Sequence, residues 1–221
     1  MSTANFRPTA LSEQLYQELK KRVLTCVLKP GHHLVEKHLC EDLGVSRTSL
    51  REALNRLAQE KLLTQRPNVG FHVTPITPDR FRNICELRRV LESQVAGLAA
   101  GRADAEAIAA MRIAARLDVD PNDPDAYITY VEENFAFHHA VARAAGNPLL
   151  EELVVSALEK DQQPIYYGID LEVCTNPADI SAEHLAIVAA IEARDAPEAS
   201  RLMTAHIGKK EQRIARAAIP Q

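Results

Sequence analysis

Three histidines in the second half of the chain are spaced so that they could bind one metal ion. His184 and His206 each lie 11 residues from Asp195, on opposite sides of a predicted turn. If the flanking helices fold back on each other there, both imidazoles lie about 16 Å from the turn, at about 1.5 Å per residue. His138 lies on another predicted helix, with Asn134 one turn earlier on the same face. Imidazoles with an amide oxygen are suitable ligands for zinc, nickel or a similar divalent ion.

Two other interpretations of these histidines stay open at this point. They could be polar residues on helix surfaces without a common ligand, or the metal centre of a helical hydrolase. The sequence contains no H-E-x-x-H motif, no G-x-S-x-G motif and no glycine-rich phosphate loop, and it has only 8 glycines. Because no nucleophile or base with an orienting partner is visible, we predict that the protein is not an enzyme.

The segments that carry the histidines are predicted to be helices, since alanine and leucine dominate this half of the chain. Of the 221 residues, 46% are hydrophobic and 25% are charged, which is sufficient for a packed core. Periodicity predicts helices over Asp79–Gly101, Asp104–Leu117, Pro124–Ala145, Pro148 to about Pro164, Ser181–Arg194 and Pro197–Ala217. The first of them is predicted to turn one apolar stripe inward: Ile84, Leu87, Leu91, Val95 and Leu98.

A different pattern occupies residues 39–57, which read LCEDLGVSRTSLREALNRL. A short helix reaches Gly44, which allows a tight turn, and Val45 fills the angle that follows. Ser46 is a natural N-cap for a second helix over Arg47–Lys61. That helix is predicted to pack its leucines inward and to present its N-terminal residues to the major groove of DNA. The pattern is therefore that of a helix-turn-helix.

A helix precedes this motif and a β-hairpin follows it. The preceding helix is predicted over Thr9–Leu28, where Pro30 and Gly31 stop it. Two short strands, Leu62–Gln65 and Phe71–Thr74, flank the turn residues Pro67-Asn68-Val69-Gly70. A hairpin directly after a recognition helix is a wing, whose tip can reach the minor groove or the phosphates.

The charge distribution agrees with two domains of different function. Pro75 and Pro78 bracket a short linker, which places one domain at residues 1–75 and a helical domain at 79–217. Residues 1–77 carry 11 Lys+Arg and 7 Asp+Glu, a net charge of +4, whereas the remainder carries −8. A basic first part and an acidic remainder suit a DNA-binding domain on a body that avoids DNA. We predict a mainly α protein, a winged helix-turn-helix followed by an all-α bundle.

No segment is predicted to span a membrane or to act as a secretory leader. The sequence contains no run of about 18 apolar residues, and MSTANFRPTA lacks the basic-then-apolar pattern of a signal peptide. The four cysteines are scattered without a C-x-x-C pair, which is typical of reduced thiols. We therefore predict a cytoplasmic protein without membrane association.

Several segments together resemble one family of transcriptional regulators. LGVSRTSLREALNRLAQEKLL followed by PNVGFHV resembles the winged helix of GntR-type regulators. ELRRVLE, FHHAVARAAGNPLL, EHLAIVAAIEARD and the late His206 are similar to the helical ligand-binding domain, called FCD, of the FadR-like branch. The resemblance covers about residues 9 to 215, nearly the whole chain.

The resemblance implies a homodimer whose two winged domains bind the halves of a palindromic double-stranded operator. Members of the family mostly repress nearby catabolic or transport genes and respond to a small organic acid. In many of them an Asp and three His hold a metal ion at the base of the pocket, where the carboxylate of the effector approaches. The expected function is a metabolite-responsive repressor. The alternative is a regulator for which the divalent ion is itself the signal.

The resemblance also implies a set of DNA contacts. It assigns base and phosphate contacts to Arg47 and Arg51, for which a bidentate Arg–guanine pair is the physical basis. A salt bridge to Glu41 or Glu52 is the alternative role of Arg51. Val69 stands where many relatives have a wing arginine, so one contact is expected to be missing. The remaining expected contacts are Lys37, Ser46, Thr48, Arg56 and Gly70, of which Arg56 could face either the groove or the domain interface.

In the helical domain the resemblance assigns metal ligation to His138, His184 and His206, with zinc or nickel as the expected ion. Asn134 stands where the family usually has the liganding Asp. Because a neutral amide is a weaker ligand than a carboxylate, we expect the metal affinity to fall or the metal to be absent.

The resemblance gives two candidates for effector binding. Arg88 matches a family arginine that would hold the carboxylate of the effector, although a buried pair with Glu92 at i+4 is equally compatible with the sequence. Tyr130, one turn before Asn134, is expected to add a hydrogen bond.

Overall fold

The computed structural model describes residues 9–119, 126–166 and 176–216. The chain divides into two compact units, Met1–Ile76 and Thr77–Gln221. The first combines helices with a small sheet, and the described part of the second is helical. The mainly α fold class predicted from the sequence is thus confirmed. Among the described residues, no helix is long and apolar enough to cross a bilayer.

The described part of the first unit contains three helices and an antiparallel sheet of strand order β1-β3-β2. Its elements are α1 (Thr9–Leu24), β1 (His33–Leu34), α2 (Glu36–Leu43), α3 (Arg47–Gln59), β2 (Leu63–Arg66) and β3 (Gly70–Val73). The register places both His33 of β1 and Thr64 of β2 opposite His72 of β3. β2 and β3 form the predicted wing. β1 was not predicted, because two residues carry no readable periodicity.

One apolar core holds the first unit together. Leu50, Leu54 and Leu57 recur at intervals of three or four residues, which buries one face of α3 and leaves the opposite face free. The side chains in this core that have no exposed surface are Leu19, Val23, Leu50, Leu54, Leu57, Phe71 and Val73.

α1 is shorter than predicted, because local hydrogen bonds end it before Pro30. The helix ends at Leu24 instead of Leu28. The Thr25 hydroxyl donates to the carbonyl of Lys21 at 2.8 Å, and Cys26 takes a left-handed conformation with φ +57°. Such a residue closes a helix in the way that glycine commonly does. This early end could not be predicted from the sequence, since cysteine is rare in this role.

The second unit, called here the helical unit, is arranged around α4. Its described helices are α4 (Pro78–Arg102), α5 (Ala105–Ala114), α6 (Ala126–Ala144), α7 (Pro148–Tyr166), α8 (Pro177–Glu192) and α9 (Ala196–Arg216). α4 packs against α6, α7, α8 and α9. Gly97 permits the close approach of α9, since a Cβ there would lie 2.7 Å from Ser200 Oγ. The same hydroxyl donates to the carbonyl of Ser93 at 2.8 Å.

The predicted inner stripe of α4 is wrong at one position. Leu87 is 45% exposed, whereas its neighbour Arg88 is completely buried. Glu92 is buried as well, so the inner face runs through Ile84, Arg88, Glu92 and Val95. Two charged residues occupy this face because they pair with each other, Arg88 Nε lying 2.5 Å from Glu92 Oε1. Hydrophobic periodicity cannot register such a pair.

Candidate nucleic-acid interface and candidate metal centre

The turn between α2 and α3 has the geometry of a helix-turn-helix. Gly44 adopts φ +64° and ψ +33°, a left-handed conformation that favours glycine, and its N–H donates to the carbonyl of Cys40. Ser46 caps α3 by accepting a hydrogen bond from the N–H of Ser49 at 3.2 Å. The turn therefore fixes where the N-terminus of α3 begins and which side chains it exposes.

Arg47 and Arg51 extend from the outer face of α3. Their side chains are 73% and 54% exposed, and Thr48 between them is exposed too. Glu36, at the start of α2, lies 3.2 Å from Arg47 Nε and 3.8 Å from Arg51 Nε. Neither predicted partner of Arg51, Glu41 or Glu52, is the one observed. A single carboxylate thus orients both arginines and leaves most of each guanidinium open to solvent.

A groove of about 540 Å³ separates these arginines from the wing. Lys37 lines it and forms only a loose ion pair with Glu41 at 3.9 Å. Gly70 begins β3 with φ +110°, and a Cβ there would lie 3.3 Å from His33 Nε2. His33 Nε2 donates to the carbonyl of Val69 at 2.8 Å. This hydrogen bond therefore holds the wing against β1, close to the residues predicted to contact DNA.

The wing carries one basic residue that was not predicted as a DNA contact. Arg66 ends β2, is exposed and lines the same groove as Arg47 and Arg51. Its position directly before Pro67 was the available signal, because a residue flanking a hairpin turn lies at the tip. Arg66 gives this wing a cation three residues before Val69, where an arginine was expected to be missing.

The placement of Arg56 disagrees with its predicted DNA contact. Arg56 lies nine residues after Arg47, which is about 180° around a helix of about 100° per residue. Its guanidinium forms an ion pair with Glu13 of α1 at 2.9 Å and lies 3.7 Å from the centre of the Tyr16 ring. The Tyr16 hydroxyl in turn donates to Glu60. Arg56 therefore joins α3 to α1 on the side away from the groove.

In the helical unit, the structure brings His138, His184 and His206 together from α6, α8 and α9. All three are buried, and their potential ligand atoms lie within 4.8 Å of one another. The ring centres are separated by 4.8 to 5.5 Å, and the Nε2 atoms of His138 and His206 are 3.3 Å apart. His184 stacks on Phe137 at 3.7 Å between ring centres. One ion could contact all three imidazoles.

Two carboxylates hold the outer nitrogens of this cluster. Glu92 Oε2 lies 2.5 Å from His138 Nδ1, and Glu183 Oε2 lies 2.7 Å from His206 Nδ1. A carboxylate on Nδ1 favours the tautomer whose Nε2 carries a lone pair for a metal. Glu183 was missed. It lies 12 residues before Asp195, which places it near the level of His206 on the neighbouring helix.

The arrangement fits a divalent cation. If both Nδ1 atoms carry the proton, the Nε2 lone pairs of His138 and His206 face each other at 3.3 Å, which is repulsive without a cation or proton between them. The contact of His138 Nδ1 with Glu92 is close but does not have normal hydrogen-bond geometry. His184 adds two buried ring nitrogens that make no hydrogen bond of normal geometry. Unsatisfied buried nitrogens are costly, and coordination would satisfy one of them. Three imidazoles and a fourth position open to another ligand are typical of zinc sites.

Burial keeps the three imidazoles neutral, the form that binds metal. It lowers the pKa of His138 to about 4, with Arg88 adding to the effect and Glu92 opposing it. Burial places the pKa of His184 well below its usual value, assisted by His206 and His138. Burial also lowers the pKa of His206, although the Glu183 carboxylate opposes this.

Arg88 is a buried structural ion pair, the second of its two predicted roles. Besides its contact with Glu92, it pairs with Asp161 of α7, which also pairs with Lys210 of α9. Burial disfavours the charge of Arg88, but Glu92 and Asp161 more than offset this and hold its pKa above the usual range. With its guanidinium committed to two carboxylates, Arg88 has little capacity left for a ligand carboxylate.

Asn134 and Tyr130 are both buried on α6, one and two turns before His138. Tyr130 packs in a small apolar cluster with Val131 and Ile180. This cluster is separate from the main core of the helical unit.

Family models match both units. Residues 11–73 match the model described as "Bacterial regulatory proteins, gntR family", and residues 83–209 match the FCD domain. The chain belongs to the GntR family of regulators with an FCD domain. These proteins are transcriptional regulators with a DNA-binding helix-turn-helix, not enzymes.

Individual relatives of this GntR/FCD regulator support the same family assignment. It is 30% identical to an uncharacterized HTH-type transcriptional regulator of Streptomyces ambofaciens, over 87% of this chain and 80% of the relative. It is 26% identical to the HTH-type transcriptional repressor RspR of Escherichia coli, over 89% and 86% of the two chains. A transcriptional regulator GntR from Rhodococcus sp. RHA1 has the same fold, with a TM-score of 0.76 and 21% identity, over 95% of this chain and 99% of that one.

Proposed function

We propose that this regulator is a homodimeric repressor whose affinity for a palindromic operator falls when a small organic acid binds the helical unit at a zinc or nickel ion. The observation that carries the proposal is the convergence of His138, His184 and His206 in a chain whose other unit exposes Arg47 and Arg51. The name of the repressor RspR, which matches most of this chain, supports the direction of regulation.

The proposed DNA contacts lie in the groove beside α3 and at the exposed N-terminus of that helix. Arg47 and Arg51 would contact base edges and phosphates in the major groove, with Thr48 and the cap Ser46 at the adjacent phosphates. Lys37 at the start of α2 would contact a phosphate. Arg66 and the backbone at Gly70 would follow the DNA from the wing.

Exposed apolar side chains on the helical unit support the homodimer. Large hydrophobic side chains are exposed on two helices that pack together: Leu87 and Val90 of α4, and Leu149 and Leu153 of α7. Exposed apolar surface commonly marks protein–protein contacts. A two-fold dimer would bury the same surface on both copies and would present two winged units to a symmetric DNA site. Replacing Val90 with Asp is expected to give monomers in sedimentation analysis.

The carboxylate of the effector is assigned to the metal instead of Arg88, whose guanidinium is already paired. A bound acid would bias the placement of the two winged units and so weaken operator binding. A coupling of about 1–3 kcal/mol corresponds to an affinity change of about 5- to 150-fold.

Fluorescence anisotropy with DNA flanking the regulator's own coding region tests the proposal. The wild type should bind one duplex specifically, and Arg47→Ala should bind it about 5- to 150-fold more weakly, a loss of about 1–3 kcal/mol, while remaining folded. A panel of sugar acids and hydroxy acids should then contain one that weakens binding. An undiminished specific affinity of Arg47→Ala would contradict the assignment of α3. Affinity that follows zinc and ignores every acid would instead favour the ion as the signal.

A further inference from the structure

The carboxylates beside the three histidines are already neutralised by cations of the same chain. Among the described residues, the charged groups around the cluster form four ion pairs, with Arg88 shared between two carboxylates and Asp161 between two cations. Their formal charges sum to zero: Glu92, Asp161 and Glu183 against Arg88, Lys209 and Lys210. None of these carboxylates is left as a free counter-charge for an added ion.

The two nearest carboxylates also lie on the wrong side of the imidazoles to act as ligands. Glu92 and Glu183 contact the Nδ1 atoms of His138 and His206, whose Nε2 atoms face each other. Among the His, Cys, Asp and Glu side chains that the structure describes, the group able to share an ion consists of the three histidines. Asn134, one turn before His138 and buried on the same helix, is neutral.

A divalent ion in this site would therefore bring two positive charges into a buried region of zero net charge. Burying an uncompensated charge is expensive. The protein supplies three neutral nitrogens and, at most, a neutral amide oxygen. The missing negative charge must come from solution, and the open coordination position is where an anion would be attracted most strongly.

We propose that the metal ion and a carboxylate ligand bind this site cooperatively, each at least about tenfold more tightly when the other is present, because Asn134 provides no charge of its own. The inference rests on the metal-containing form of the proposed function. The chain would then respond to the coincidence of ion and acid, since each raises the affinity for the other by the same factor. An acidic residue at position 134 would remove this dependence by supplying the counter-charge permanently.

The first measurement is the zinc affinity of the metal-free wild type, determined by competition with a chromogenic chelator. Acetate is the probe anion, and perchlorate keeps the ionic strength constant. We expect acetate to raise the zinc affinity by at least about tenfold, within the usual range of coupling between two ligands. Zinc binding that is equally tight with and without acetate overturns the inference. Cobalt(II) absorption provides a second readout, since acetate should change the spectrum of the bound ion only if it joins the coordination sphere.

The second measurement uses Asn134→Asp, with Asn83→Asp on the exposed surface of α4 as the matched charge control. Asn134→Asp should bind zinc without acetate at least about tenfold more tightly than the wild type, because the charge is now internal. Acetate should then have little further effect. Asn83→Asp should behave as the wild type. If Asn134→Asp keeps the full acetate dependence, the inference is wrong, and if it does not fold, the wild-type titration decides alone.

Operator binding separates this inference from the proposed function. If an acid releases DNA but zinc binding does not depend on acetate, the coupling between ion and anion is overturned. The proposed function as a repressor then still stands. No zinc binding at any acetate concentration overturns both the inference and the metal in the proposed function. If the wild type binds no DNA specifically, the proposed function as a repressor is overturned instead.

Discussion

Both units of the protein contain an arginine paired with a glutamate, and the two pairs have opposite consequences. In the first unit, Glu36 lies 3.2 Å from Arg47, whose side chain is 73% exposed. In the helical unit, Glu92 lies 2.5 Å from Arg88, which has no exposed surface. The residue types are the same, and both arginines were candidates for binding a ligand.

Burial decides which arginine remains available. An exposed ion pair contributes only about 0–1 kcal/mol, so Arg47 can exchange Glu36 for a phosphate or a base at little cost. Removing one partner of a buried pair costs about 3–5 kcal/mol, because the other charge is left uncompensated. Arg88 therefore cannot leave Glu92 and Asp161 for a ligand. Arg47 suits recognition, and Arg88 suits the positioning of Glu92 against His138.

The largest expected effect follows from removing the buried cation. Arg88→Met keeps most of the volume but leaves Glu92 and Asp161 with one cation fewer. We expect the free energy of unfolding of the helical unit to fall by about 3–5 kcal/mol. Urea denaturation of the full chain, followed by circular dichroism, measures this loss.

The neighbouring residue provides the control for that experiment. Arg89 pairs with Glu211 on the partly exposed side of α4, so Arg89→Met should cost no more than about 1 kcal/mol. Equal effects of the two substitutions would show that burial does not separate the two kinds of pair.

The second effect is a loss of stability in acid, which concerns the metal-free protein. Burial lowers the pKa of His138 to about 4, below its value of about 6.5 in an unfolded chain. Between these pH values the unfolded state binds more protons than the folded state. The stability that neutral His138 contributes to the folded state is therefore complete above about pH 6.5, and it is lost as the pH falls towards about 4.

At about 1.36 kcal/mol per pKa unit, His138 alone would account for roughly 3 kcal/mol over that window. Thermal melts of the chelator-treated protein at decreasing pH measure the loss. His138→Gln should flatten the dependence. A wild type whose midpoint stays constant down to pH about 4.5 would mean that His138 is protonated in the folded state.

The third effect compares two arginines of the same helix. Arg47→Ala should lower specific operator affinity by about 1–3 kcal/mol, the value of a bidentate base contact, with little change in stability. Arg56→Ala should do the reverse, because its partners Glu13 and Tyr16 belong to α1. Anisotropy titrations and melts on both variants give the comparison. Equal losses of DNA affinity would place Arg56 in the interface after all.

Helix geometry explains which parts of these sites the sequence predicts. The convergence of His184 and His206 follows from their equal distance from Asp195, because a helix has a fixed rise and the turn returns the chain on itself. The same rigidity would have excluded Arg56, which lies half a revolution from Arg47. The winged helix-turn-helix was readable for a similar reason, since Gly44 and Ser46 have roles that few other residues fill.

Partners that are distant along the chain could not be predicted. Asp161 meets Arg88 across 73 residues, and Glu36 meets Arg47 across 11 residues and a turn. Sequence periodicity treats Arg88 and Glu92 as surface residues, because it has no way to register a charge that burial has paired. For this reason periodicity places Leu87 in the core, and the structure reverses the burial of Leu87 and Arg88. The effector role of Arg88 came from the family resemblance, and the structure shows its alternative, the buried pair with Glu92.

The smallest effect should come from Glu36, and it tests whether the exposed pairs matter for recognition. Glu36→Gln removes the charge shared by Arg47 and Arg51 and retains the shape of the side chain. Because exposed pairs are weak, stability should change by less than about 1 kcal/mol. Affinity for non-specific DNA should rise, since a negative charge beside the phosphates is lost.

Glu36→Gln should lower the specificity of DNA binding, although it raises the affinity for non-specific DNA. Without Glu36, the two guanidiniums sample more orientations before they meet the bases, so ordering them costs more on binding. The ratio of specific to non-specific affinity should therefore fall by a few-fold, and anisotropy titrations against operator and scrambled duplexes measure it. Glu41→Gln, which loosens only Lys37, is the matched control and should raise both affinities equally. If both variants leave the ratio of specific to non-specific affinity unchanged, Glu36 does not contribute to recognition. The exposed arginines would then recognise DNA without being oriented beforehand.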